Sequence, residues 1–329
     1  MAVTDFSALS AYVDQISGKL IKKALLLDRT IQTGITVHTG IKQTEAINIL
    51  TGSLIGQATD CGISPTGSVA LTQRNITVCP ITVFEDICAS KFDAYWTQIL
   101  NPAGSYYEKN PIEEIYVSQK IDSISKLSGQ LLWTGSKVGT NFGGATTSVQ
   151  TGNITLCDGI LYDLEKVTGS ASVLLTASSS TAYSVDPIGI TNQIIALVLA
   201  SASDMLVEQN KNIYMSYSNF NALRNALMLN SATYFQYNNQ SGDVVEFMIK
   251  NFFGTGFDVI AVDGLNGSSR VVTTFGKNIT YGVDLENDQD KFEVFYDRYR
   301  DLVLFRAKWK QGAKIAFPAQ VVLHRGGLY

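Results

Sequence analysis

Charge is scarce in this chain. Only 16% of its 329 residues are Asp, Glu, Lys or Arg, against about 25% in ordinary soluble domains. With 45% hydrophobic residues the chain is too apolar for disorder and long enough to bury a sizeable core. A surface so poor in charge points to one that meets protein rather than water, although β-rich secreted domains share this texture. Histidine is scarcer still. The two present, His38 and His324, lie far apart in β-like sequence, which argues against a catalytic or metal-ligating pair. Four cysteines stand at 61, 79, 88 and 157. They form no Cys-x-x-Cys pair and have no nearby histidine cluster, so zinc ligation is not expected. A disulfide framework is not expected in a chain this long, and the four read as buried or idle thiols. An excess of base is also lacking: the net charge is −4, which excludes an electrostatic nucleic-acid binder. No run nears the roughly 18 apolar residues of a membrane helix; the richest, Ile194 to Ala200, is too short. Met1 to Leu9 lack a basic and then apolar leader, so no secretory signal is expected.

Chemistry-bearing motifs are missing too. There is no Gly-x-Ser-x-Gly elbow, phosphate-binding Walker loop or His-Glu-x-x-His. Gly254-Thr255-Gly256 precedes a strand-like segment, whereas a dinucleotide fingerprint must follow a strand and open a helix. Glu113 and Glu114 fall in the first turn of a helix, where carboxylates serve the cap and dipole. Asp284, Glu286, Asp288 and Asp290 lack the glycine and final glutamate of a calcium loop and read as a solvated acidic turn. No catalytic, cofactor-binding or metal-ligating residue is therefore assigned, no cofactor is expected, and the chain reads as no enzyme.

What is present is an order of elements. Phe6, Leu9, Val13, Ile16 and Leu20 recur at helical spacing. That face either packs on its own domain or docks on a neighbouring subunit, and periodicity does not separate the two. From about residue 31 to 83 the texture turns to Thr, Ile, Val and Gly. Ile31–Val37 and Arg74–Val78 alternate as strands do, with Gly52, Gly56, Gly62, Pro65 and Gly67 between them. Such a stretch fits a long protruding β-hairpin better than a globular core. Pro80 should end the returning strand or place it at an edge.

Asn110-Pro111-Ile112-Glu113 offers an N-cap, a proline at the first helical position and a glutamate at the third. Val117, Ile121, Ile124, Leu127 and Leu131 then share one side, with Glu114, Ser118, Asp122, Ser125 and Lys126 mostly on the other, and Gly135 is the expected stop. The spacing predicts a helix of about six turns. Residues 134–182 read as loops and short strands. Asp186-Pro187 opens a second helix through Ile190, Ile194, Leu197 and Val198. A short strand at Ile213–Ser216, a helix ending near Asn230 and a strand at Phe257–Val262 complete a helical lobe.

The C-terminal part is strongly β. Phe292, Val294 and Tyr296 alternate along one segment, and Val303, Phe305, Ala307 and Trp309 along the next. Placing both rows on one face requires paired residue numbers to sum to an odd value. Residues 284–297 hold six acids and residues 298–314 six bases. An acidic strand beside a basic one is favourable, and a solvated hairpin without such pairing is an equal alternative.

Laid out in this order, the chain resembles the major capsid proteins of tailed bacteriophages with the Hong Kong 97-like fold. At residue level the likeness lies in three places. They are Leu71 to Ile76 with Val78 to Cys88 and Trp96; Asp284 to Asp288 with Phe292 to Tyr296; and Phe305 to Gly312 running through Ala316-Phe317-Pro318 to Val321-Val322. The resemblance implies an α+β fold in four parts. Residues 1–40 would be an N-terminal arm and 41–82 an extended loop (a β-hairpin). Residues 83–182 with 283–329 would be a peripheral domain carrying the long spine helix at about 111–133, and 183–282 an axial domain.

The function implied is a structural major capsid protein that self-assembles into hexamers and pentamers of an icosahedral shell around a phage double-stranded DNA genome. Its partners would be further copies of itself, portal and scaffolding or decoration proteins, with weak non-specific contact to packaged DNA and no membrane. It would be made and assembled in the host cytoplasm and reside in the virion capsid. No scaffolding segment is expected, because the amphipathic arm starts within a few residues of Met1. An encapsulin-like cellular nanocompartment shell would share the fold. A phage tail or adhesion structural protein would explain the β-rich parts but not the long capped helix.

Overall fold

A computed structural model describes residues 25, 28–53, 55, 67–88, 112–138, 153–167, 174–176, 187–201, 203–234, 249–252, 255–284, 292–297, 299–300 and 302–325. Most of the arm helix (residues 5–24 and 26–27), the Asn110-Pro111 cap, Trp96 and the acidic residues Glu286, Asp288 and Asp290 lie outside the described residues.

The first element is not the strand expected at Ile31–Val37. Arg29–Gln32 is a single helical turn, α1, capped by Asp28, whose Oδ1 accepts from the Thr30 amide at 2.6 Å. Gly34 then turns the chain at a positive φ of 82°, and only Thr36–Thr39 is extended, as β1. The long hairpin follows as expected: Thr44–Ser53 (β2) pairs antiparallel with Ser68–Thr77 (β3) over ten residue pairs, forming a sheet of its own.

The peripheral sheet is built around a 14-residue strand, Leu302–Ile315 (β11). It pairs antiparallel with Cys79–Cys88 (β4), with Ile279–Val283 (β9) and with Phe292–Asp297 (β10), and β9 in turn pairs parallel with β1. Phe292 faces Ala307 and Val294 faces Phe305. These pairs have the odd sums that the apolar rows require, and Val294, Val303, Phe305, Ala307 and Trp309 are buried. Among the described residues β4 pairs only with β11, so Pro80, its second residue, sits on an edge strand, where proline is tolerated. Glu293 faces Arg306, and their charged groups lie 3.8 Å apart; both are about one-third exposed, so this pair contributes little.

Against the sheet lies the long helix, Ile112–Thr134 (α2). Ile121, Ile124 and Leu131 are buried as expected, and Asp122 is exposed. Ser125 is not on the outer side: it is buried, as is Ser128. The buried stripe runs 121–124–125–128–131–132, and small polar residues occupy it because other elements come close there. Ser128 lies 3.1 Å from the Tyr281 hydroxyl, and its carbonyl accepts from Gln311 Nε2 at 3.3 Å. Gln311 Oε1 in turn accepts from Trp309 Nε1 at 2.9 Å. Burial pushes the Tyr281 hydroxyl well above its ordinary value, so it stays a neutral donor inside this network. At the next residue of α2, a Cβ at Gly129 would sit 2.0 Å from Asp28 Oδ2. Burial raises the Asp28 carboxyl above its ordinary pKa, with nearby Asp263 adding to the rise. Gly135 ends α2 for a reason beyond turn propensity: a Cβ there would lie 2.4 Å from the Cys157 carbonyl oxygen.

One helix stands where only loops and short strands were expected. Ile160–Val167 (α3) buries Ile160, Leu161 and Leu164 under α2 and β11. The second sheet has the order β5–β12–β8–β6–β7, made of Leu174–Thr176, Val322–Arg325, Arg270–Phe275, Lys211–Met215 and Phe257–Ala261. Its strands are interleaved in sequence with those of the first sheet. Pro187–Leu199 (α4), Ser203–Val207 (α5) and Tyr217–Tyr234 (α6) accompany it, with a core of Ile194, Leu197, Leu223, Leu227, Phe252 and Phe257. Trp133 of α2 and Tyr214 of β6 pack with ring centres 5.0 Å apart and planes tilted by 48°, and α1 with its C-cap Thr33 clasps both. Thr30 Oγ1 accepts from Trp133 Nε1 at 2.9 Å, and Thr33 Oγ1 lies 2.8 Å from the Tyr214 hydroxyl.

Candidate assembly surface

Most described residues of the β2–β3 ribbon are exposed. In a two-stranded ribbon the directly opposed residues share a face. Ile47, Ile49, Arg74 and Ile76 point one way; Leu50, Val69, Leu71 and Gln73 point the other. On the first face Ile49, midway along the ribbon, and Ile76, near its root, are buried, and Ile76 packs with Ile41 and Val78. On the opposite face Leu50 is 69% exposed, Leu71 65% and Val69 74%, with Leu50 directly opposite Leu71. Leu50, Val69 and Leu71 thus form an exposed apolar patch on one face of the ribbon, the kind of surface that marks an interaction site.

The root, by contrast, is fixed in three ways. It sits on a glycine pair, Gly282 on β9 facing Gly312 on β11. A Cβ at Gly282 would come within 2.9 Å of both Ile41 and Ile76, and one at Gly312 within 2.3 Å of the Thr77 carbonyl oxygen. Only bare backbone lets the ribbon cross the sheet this closely. An ionic clasp lies beside it. Arg74 Nη2 of β3 donates to both carboxylate oxygens of Asp163 at 3.0 and 3.1 Å, and Lys314 Nζ of β11 reaches the same carboxylate at 2.6 Å. Asp163 is buried, and its partners are mostly so, which makes the clasp costly to break from one side. Third, Cys79 and Cys157 are bonded to each other across 78 residues of sequence. That corrects their reading as idle thiols: β4 begins beside the turn at 153–156, a proximity that no local spacing encodes.

Other apolar side chains reach solvent on the helical lobe, where Leu199 is 80% and Val207 85% exposed. Phe84 and Phe295 do so on the outer face of the peripheral sheet. Of the residues weighed for chemistry, His38 is a partly exposed strand residue 3.6 Å from Glu45. His324 is buried in β12, where burial and Arg270 lower its pKa. Asp284 does not belong to a solvated turn. It is buried, and Lys310 Nζ donates to it at 2.9 Å. Among the described residues no group of three His, Cys, Asp or Glu is placed to hold a metal ion, and no helix is long and apolar enough to cross a membrane. Asp163 and its pairing with Arg74 went unnoticed in the sequence. The available signal was Ile160, Leu161, Leu164 and Val167, which fall on one helical face with Asp163 beside it.

No family model matches this sequence, and no curated protein matches it. Solved structures do resemble its fold. A chain of the satellite phage P4 procapsid, solved with the size determination protein, aligns with a TM-score of 0.57 at 11% identity, covering 94% of this chain and 99% of that one. The capsid of Myoviridae phage XM1 aligns at 0.53 and 13% identity over 91% of each chain. A virus-like particle from Pyrococcus furiosus aligns at 0.52 and 10% identity, covering 95% and 99%. The chain thus has the Hong Kong 97-like capsid fold, mixed in helix and sheet.

Proposed function

We propose that this chain is the major capsid protein of a tailed bacteriophage, a shell subunit that assembles into hexamers and pentamers around double-stranded DNA. The observation that carries this reading is the β2–β3 ribbon, with Leu50, Val69 and Leu71 exposed beyond a firmly seated root. Burying one such leucine is worth about 1.5–3 kcal/mol, and a second copy of the chain is the surface that gains it. The capsid fold, matched over more than nine-tenths of the chain, and the low charge support the same reading.

Within it, the arm runs through residues 1–40 and the extended loop from 41 to the start of β4 at Cys79. The sheet around β11, with α2 and α3, forms the peripheral domain. The β6–β7–β8 sheet with α4 to α6 forms the axial domain, to which β5 and β12 add strands from the flanking sequence. Portal and scaffolding or decoration proteins join the assembly in the host cytoplasm. The net charge of −4 suits a wall that holds its DNA only weakly. The role is structural, with no catalytic residue and no cofactor.

A nanocompartment shell is the second reading, favoured by the likeness to the Pyrococcus furiosus particle. Electron microscopy of the purified chain, expressed alone and with scaffolding and portal partners, tests both. Closed shells or capsomers are expected. A monomer at all salt and protein concentrations overturns the proposal, and shells that require a cargo enzyme rather than DNA select the second reading.

A further inference from the structure

We infer that Cys79 and Cys157 form a redox-conditional staple at the root of the extended ribbon, open as thiols where the subunit is made and closed after the particle leaves reducing surroundings. The change of surroundings rests on the capsid reading; the chemistry rests on the structure alone. Cys79 is the first residue of β4, two residues after the ribbon ends. Cys157 follows the turn at 153–156, which carries the chain into α3. The bond therefore ties the returning ribbon to the segment that holds Asp163, next to the Arg74–Asp163–Lys314 clasp.

Both side chains are buried, yet both line a cavity of about 320 Å³ together with Asn75, Thr77, Lys137, Asp158, Asp163 and Lys314. That cavity gives a small oxidant a path to the sulfurs. The oxidant is a low-molecular-weight disulfide. One cysteine thiolate attacks it, breaking the external S–S bond and releasing one small thiol, so that a mixed disulfide forms. The second cysteine, deprotonated, attacks the protein sulfur of that mixed disulfide and releases a second small thiol. One S–S bond is broken and one formed, and the protein's two hydrogens and two electrons leave on the two released thiols.

Because the glycine seat and ionic clasp do not depend on the sulfurs, the reduced subunit keeps its ribbon in place. Closure adds a covalent limit on how far the root can lift. The stabilisation follows from the large loop that the bond closes in the unfolded chain.

The test uses the full chain, reduced or treated with oxidised glutathione, then alkylated and analysed by peptide mass spectrometry. Cys79 and Cys157 are expected to alkylate in the reduced protein and to appear as one linked peptide in the oxidised one. Reduction should lower the melting temperature by about 5 °C or more, and Cys79→Ser or Cys157→Ser should abolish that difference. Free thiols at both positions after oxidation, or an equal redox difference in the variants, overturns the staple. Shell formation, read separately by microscopy in both redox states, bears on the capsid proposal; the linked peptide does not depend on it.

Discussion

The chain contains two long antiparallel hairpins whose sequences alternate in the same way and whose fates differ. In β10–β11 the apolar row Val294, Val303, Phe305, Ala307 and Trp309 closes onto α2 and disappears into the subunit core. In β2–β3, among the described residues, Ile49 and Ile76 on one face are buried, while Leu50, Val69 and Leu71 on the other stand in solvent. Period-two alternation specifies a face but not what covers it. In one hairpin the cover is a helix of the same chain; in the other the proposed cover is another copy. A subunit built so divides its apolar surface between folding and assembly.

The comparison breaks most visibly at Trp309. It is fully buried and hydrogen-bonded to Gln311, so Trp309→Ala should cost about 3–5 kcal/mol through lost transfer energy and a cavity. Chemical denaturation of the unassembled subunit measures this. A loss below 1 kcal/mol would mean that the closing hairpin is as peripheral to the core as the ribbon. Gly312→Ala comes next. Its Cβ would press on the Thr77 carbonyl, and overpacking of this kind costs about 1–3 kcal/mol. Hydrogen exchange should then quicken at the ribbon root while the β10–β11 amides stay protected. Uniform loosening of both hairpins would show that the seat serves the whole sheet. Asp163→Asn is expected to cost about 2 kcal/mol, since it leaves Arg74 and Lys314 close together without a counter-charge. Their residual exposure holds the figure below that of a fully buried pair. Salt should partly rescue this variant and should do nothing for Trp309→Ala.

Local physics made part of this legible. The odd-sum register of β10 with β11, the span of α2, the start of α4 at Pro187 and the existence of the ribbon all follow from periodicity and from turn or cap residues. What stayed hidden depends on tertiary approach. Ser128 looks like a surface residue until Tyr281 and Gln311 arrive across 150 or more residues of chain, and Ser125 is buried on the same helix. Gly282 and Gly312 look like punctuation, and only the crossing ribbon makes them a seat. Asp284 reads as one more acid in an acidic run until Lys310 is placed against it. Helix α3 was lost in a Gly- and Thr-rich context because its eight residues are too few to dominate a periodicity window. Asp28 displaced the strand expected at Ile31, since its side chain caps the turn that the alternation had concealed.

The smallest stability effect is the one that decides most. Leu71→Asp changes a side chain that is 65% exposed and faces an equally open Leu50, so the folded subunit loses almost no packing. The melting midpoint and circular dichroism should match the parent within the roughly ±0.5 kcal/mol of ordinary surface changes. Assembly should respond differently. An ionised carboxylate carried into an apolar contact between subunits must be desolvated without a partner, at a cost of several kcal/mol per contact, and a closed shell repeats that contact in every copy. Sedimentation should therefore show capsomers or shells for the parent and subunits for Leu71→Asp, with Leu71→Met close to the parent. Normal assembly of the Asp variant would place the patch outside any interface and remove the contrast between the hairpins. Unfolding of the Asp variant would show instead that the ribbon's outer face belongs to the subunit's own core, and the ribbon would then differ from β10–β11 only in degree.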